Sequence, residues 1–78
     1  MSVELVEILA RALVSRPEEV KVTELKRENY VILSIEVAEE DVGRVIGRQG
    51  RIIKAIRKVV RTTGGPKGQS AVVEVVSR

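Results

Sequence analysis

The apolar residues of "MSVELVEILARAL" are spaced for a helix: Leu5, Ile8, Leu9, Ala12 and Leu13 recur three or four apart. Ser2 is suited to capping this helix, and Glu4 and Glu7 suit the positive end of its dipole. Pro17 drives Arg16 out of helical backbone, so the helix is expected to end near Ser15. The period then shortens to two. Val20 and Val22 alternate with Lys21 and Thr23 in "VKVTEL", and "KREN" (26–29) is a turn. In "YVILSIEV" (30–37), Val31, Leu33, Ile35 and Val37 share one face of a strand. Two strands joined by so short a link form an antiparallel hairpin.

After residue 37 the period lengthens again. Glu39, Glu40 and Asp41 crowd one site, either as the acidic first turn of a short helix over residues 39–46 or as a carboxylate group for catalysis or metal binding. Gly47 stops that helix. A second begins after Gly50 and runs to about Thr62, where "TTGGPKG" ends it. "SAVVEVV" (70–76) is a β-branched strand with Val72 and Val76 on one face and Val73 and Val75 on the other. The order is α-β-β-α-α-β. A strand, a two-helix crossover and a further strand make a parallel pair, with a right-handed connection expected. The pattern therefore predicts an α+β fold, one domain over residues 1–78. Its three-stranded mixed sheet has strand 30–37 in the middle and three helices on one face.

Composition narrows the chemistry. The chain has 78 residues and neither cysteine nor histidine. Disulfides, thiolate metal sites and the common Cys- or His-based nucleophile systems are thereby excluded. There is no GxxxxGK[ST] or GxGxxG phosphate loop, so no cofactor is expected. No apolar run approaches the roughly 20 residues of a membrane span, and the acidic amphipathic N-terminus is unlike a leader peptide. A soluble, cytoplasmic protein is expected. The net charge of +3 conceals a division: residues 1–41 hold five Lys/Arg against ten Asp/Glu, and residues 42–78 hold nine against one. A second half at +8 is either a solvated basic surface or the footprint of a polyanion.

The division is sharpest after Gly50. At about 100° per residue, Arg51, Lys54, Arg57, Lys58 and Arg61 fall within an arc of roughly 120°, opposite Ile52, Ile53, Ile56, Val59 and Val60. The apolar arc reads as core. The basic arc has no acid within it, and Arg48 and Arg51 stand at a helix start, where the dipole favours anions. An external phosphate would complete such an arrangement.

Gly47-Arg48-Gln49-Gly50, preceded by "VI" and set between two helices, resembles the GxxG loop of a KH domain, which clamps about four single-stranded nucleotides. The element order is similar to the type II arrangement. "GRVIGRQGRIIKAIR" (43–57) and the short length resemble the small bacterial KhpA family, over the whole chain. The resemblance implies a role for each matching residue. Gly47 and Gly50 keep the loop compact for close phosphate approach. Arg48 and Gln49 contact phosphate or sugar, and Arg44, Arg51 and Lys54 add charge. Val45, Ile46 and Ile53 floor the groove under the bases. Lys67, in the variable segment 62–69, closes the far side. The sequence departs from the family at Ile52 and Ile53, where small or polar residues often follow the loop.

The resemblance also implies partners: single-stranded RNA, a homodimer, and a second KH protein of the KhpB (Jag/EloR) type. It implies a role as an RNA chaperone linked to cell shape and elongation. One aromatic residue, Tyr30, is too few for the stacking platforms of RRM or OB folds. Two other functions compete. One is a dimerising adaptor using the Val72/Val76 face, with incidental nucleic-acid binding. The other is single-stranded DNA binding, since a phosphate grip does not distinguish the sugars. Catalysis has no assembled residue set behind it.

Overall fold

The computed structural model describes residues 3–63 and 70–78, built as a sheet with helices on one side. Helix α1 spans Val3–Leu13, strand β1 Lys21–Lys26 and strand β2 Tyr30–Val37. Helix α2 spans Val42–Ile46, helix α3 Arg51–Thr63 and strand β3 Ser70–Ser77. Short 3-10 turns cover Pro17–Glu19, Glu39–Asp41 and Arg48–Gly50. The stretch read as one helix over 39–46 is thus a 3-10 turn leading into five residues of α-helix.

The sheet order is β1-β2-β3, with β1 antiparallel and β3 parallel to the central β2. Register puts Val22 opposite Ile35, and Leu33 opposite Val73. These residues, with Val31 and Val37, are buried under the helices, as the period-two pattern requires. The reverse face carries Leu25, Ile32 and Val72 in one cross-strand row, of which Leu25 and Val72 are exposed. Helix α1 packs against β1, and α3 against β3, so α3 covers an outer strand.

The buried face of α1 is not the expected one. Val6 and Ala10 enter the core, with Val3, Leu13 and Val14 packed beside them, while Ile8 is 63% exposed. Both stripes of this helix are apolar at helical spacing, so periodicity alone does not choose between them. The second stripe has a different use. Leu9, Ala12 and Leu13 face Ile52, Ala55, Ile56 and Val59 of α3 across an open apolar groove of about 360 Å³, with Arg51 at its rim. The apolar arc of α3 is therefore only partly core: Ile56 and Val60 are buried, while Ile52 and Val59 are half-exposed.

Candidate nucleic-acid interface

The turn between α2 and α3 takes three residues into left-handed backbone. Gly47 lies at φ 79°, ψ 169°, Gln49 at φ 57°, ψ 24°, and Gly50 at φ 74°. Its hydrogen bonds are short-range: Gly47 N–H donates to Gly43 O at 2.8 Å, Gly50 N–H to Gly47 O at 3.0 Å, and Arg51 N–H to Arg48 O. These bonds leave out the N–H groups of Arg48 and Gln49, whose side chains are exposed. Backbone N–H groups in an alternating turn form an anion-binding concavity. Gln49 is the positive-φ residue other than glycine among the described residues. Such a conformation costs an ordinary side chain about 1–2 kcal/mol.

The two glycines are required for different reasons. A Cβ on Gly47 would lie 2.6 Å from Ile52 Cγ1 and 2.9 Å from both Ile52 Cβ and the Ile52 backbone nitrogen. Ile52, the departure from the family pattern, thus sits directly over the first glycine and braces the turn. Gly50 has open surroundings. A Cβ there would meet Ile53 Cγ2 and Lys54 Cε at 3.8 Å, ordinary contact distance. Only its dihedral demands glycine. The Lys54 stem accordingly lies alongside Gly50, with its side chain exposed.

The structure brings Gly47, Arg48, Gln49, Gly50, Arg51 and Lys54 together on one continuous surface, with Ile46 and Ile53 half-exposed beside them. Val45 is corrected. It is 0% exposed and belongs to the core cluster, because α2 turns that side chain toward the sheet; it supports the groove and does not line it. Lys67 and most of the variable segment lie outside the described residues, as does the capping reading of Ser2.

Arg44 is bound from below. Its Nη1 donates to Asp41 Oδ1 at 2.7 Å. Asp41 is 0% exposed. The same carboxylate accepts from Ser15 N–H at 3.0 Å, Ser15 Oγ at 2.8 Å and Arg16 N–H at 3.1 Å. Burial alone would raise its pKa, but the donors from Ser15, Arg44 and Arg16 outweigh it and hold the carboxyl at about 2. Asp41 therefore fastens the end of α1 to the start of α2, and an Arg16–Glu40 pair at 3.3 Å reinforces the junction. Sequence reading missed this residue, placing it in an acidic first turn. Its carboxylate leaves its own helix uncapped and reaches residues 25 and 26 positions away. Among the described residues, no group of three or more acids, histidines or cysteines is disposed to hold a metal ion.

None of Arg48, Arg51, Lys54, Arg57, Lys58 and Arg61 forms an ion pair among the described residues. The surface beside the turn is thus cationic and uncompensated.

Among the described residues no helix is long and apolar enough to cross a membrane. Comparison with known proteins gives concordant results. A family model described as "KhpA/KhpB, KH domain" matches residues 3–75. A protein of Clostridium perfringens named RNA-binding protein KhpA is 49% identical over 73 residues, covering 94% of this chain and 97% of that protein. Its namesake in Clostridium acetobutylicum is 45% identical over the same coverage, and that of Treponema pallidum is 42% identical over 97% of this chain and 95% of the relative. No solved structure matches. The α-β-β-α-α-β order, the two positive-φ glycines around Arg48 and Gln49, and this near-complete coverage agree: the chain belongs to the KhpA/KhpB family of KH-domain proteins, a family of non-catalytic binders.

Proposed function

We propose that this chain acts as a single KH domain in the cytoplasm and binds single-stranded RNA without chemical turnover. The 47–50 turn and the first turns of α3 grip the phosphate backbone, and Ile46 and Ile53 offer apolar contact to bases. One observation carries the reading: a left-handed turn with two N–H groups outside its own bonding opens onto cations that no acid neutralises. The names of the relatives support RNA as the ligand. A salt titration of binding to a short unstructured RNA tests it. Two to four phosphate contacts, at about −0.7 each for single strands, give a log–log slope between about −1.5 and −3. A slope near zero removes the electrostatic grip, and equal affinity for the matching DNA removes the preference for RNA.

The finer cellular role is proposed on the family's account: an RNA chaperone connected to cell shape and elongation, working with a KhpB-type partner. One family model covers KhpA and KhpB alike, so a KhpB-type partner would carry the same kind of domain. A second reading, a dimerising adaptor using the Val72/Val76 face, is favoured by exposed Val72 with half-buried Val76 on that face, and the open apolar groove between α1 and α3 is a further apolar surface. Light scattering over a concentration series separates the two. A monomer that binds RNA excludes an obligate dimeric adaptor.

A further inference from the structure

The cations of α3 do not stop at the turn. Arg51, Lys54, Lys58 and Arg61 stand three, four and three residues apart, with Arg57 beside them, so the stripe continues along one side of the helix. From Arg51 to Arg61 the axial rise is about 15 Å, equal to roughly four stacked nucleotides at about 3.4 Å each. The apolar side of α3 lines the open groove shared with α1, with Arg51 at its rim, and Lys54, Lys58 and Arg61 lie outside that groove. No acidic residue occurs anywhere in α3, and none of its cations is paired among the described residues.

A stripe kept only for solubility would mix charges, as α1 does, where Glu7 and Arg11 pair at 3.1 Å one turn apart. Here like charges are set at spacings that repel along the helix. They are stabilised when a polyanion lies across them. An acidic protein helix would also be attracted, but the stripe is continuous with the turn read as the phosphate grip, so one strand reaches both.

We propose that Arg57, Lys58 and Arg61 form an extended backbone track that carries the RNA strand beyond the nucleotides held at residues 47–50. This rests on the RNA-binding reading above and deepens it. The ligand is a single strand longer than the loop footprint, held by its phosphates without base selection. Sequence preference, where it exists, belongs to the loop end, and the track contributes length-dependent affinity.

The test compares wild type with the triple variant Arg57→Gln, Lys58→Gln, Arg61→Gln on a 5-nucleotide and a 14-nucleotide unstructured RNA. NMR shift titration reads the weak short complex, and anisotropy the long one. Circular dichroism checks the fold of each variant. Comparing the two proteins at each length cancels the gain in binding registers on the longer strand. The expected result is affinity within about twofold on the short RNA and a loss of tenfold or more on the long one. The salt slope on the long strand becomes less negative by about 2, from three contacts at about 0.7 each. Unchanged binding to the long RNA overturns the track. Equal losses at both lengths also overturn it, since they indicate a general field. A control, Arg48→Asp with Gln49→Asp, keeps the two proposals apart. If it leaves both lengths unaffected, the loop reading fails, whatever the triple variant does.

Discussion

Replacing Gly47 by alanine damages this protein far more than the same change at Gly50. Gly47 combines φ 79° with ψ 169°, a region open essentially to glycine alone, and forcing alanine into it costs about 1–3 kcal/mol. The new methyl also lands 2.6 Å from Ile52 Cγ1 and 2.9 Å from the Ile52 backbone nitrogen. A rotamer change relieves the first contact but not the second. Overpacking of this kind costs about another 1–3 kcal/mol. The sum, about 2–6 kcal/mol, is a large share of the roughly 4–12 kcal/mol expected for a domain of this length. At about 4–8 °C per kcal/mol, Gly47→Ala lowers the Tm by roughly 10–50 °C. Gly50→Ala meets nothing closer than 3.8 Å and bears only the left-handed penalty. That is about 1–2 kcal/mol, or roughly 5–15 °C. Thermal unfolding of both variants by circular dichroism measures the difference. Adding Ile52→Ala to Gly47→Ala recovers part of the loss, because the Cβ and backbone contacts at 2.9 Å remain. Equal Tm values for the two alanine variants would refute the bracing role given to Ile52.

Three further outcomes follow from the same geometry. Gln49→Gly relieves left-handed strain at the cost of chain entropy, so stability stays level or rises by up to about 1 kcal/mol. RNA affinity nonetheless falls; urea unfolding and an RNA titration read the two separately. Val45→Ala opens a cavity in the core and costs about 2–3 kcal/mol. RNA binding then changes only through the folded fraction, which a titration at a temperature well below Tm checks. Asp41 has a carboxyl at about 2 in the folded chain against 3.8 in the free residue. As pH falls the unfolded chain takes up this proton first, so the stability it contributes is full above about pH 4 and is lost toward pH 2. Tm measured against pH shows Asp41→Asn well below wild type at pH 7, with the gap narrowing through that window.

The elements that sequence reading placed well are those where one period dominates. Strand β2 alternates without exception from Val31 to Val37, and its central position follows from being the most apolar strand. The turn at residues 47–50 was legible because two glycines break a helical pattern at a fixed spacing. Helix α1 was legible as a helix but not in its orientation, since Val6 and Ala10 compete with Ile8 and Leu9 for the same core. The bond from Asp41 to Ser15 and Arg16 was hidden because it joins residues brought together only by the fold. Val45 illustrates the limit of carrying a motif over by position. Its neighbour Ile46 keeps some exposure, but one step of about 100° around the helix turns Val45 wholly inward. Ile52 likewise reads as core in the helical pattern, and its place directly over Gly47, where it would meet any added Cβ, depends on how the turn folds back on the start of α3.

The most direct test of the central claim is a paired anisotropy titration of a single-stranded RNA with wild type and the double variant Arg48→Asp, Gln49→Asp. Both side chains are exposed, so circular dichroism and Tm are expected to match wild type. Two new acids at the proposed phosphate grip reduce affinity by at least tenfold if the strand is held there. Undiminished affinity with an intact fold would contradict the account and leave residues 47–50 as a turn between two helices.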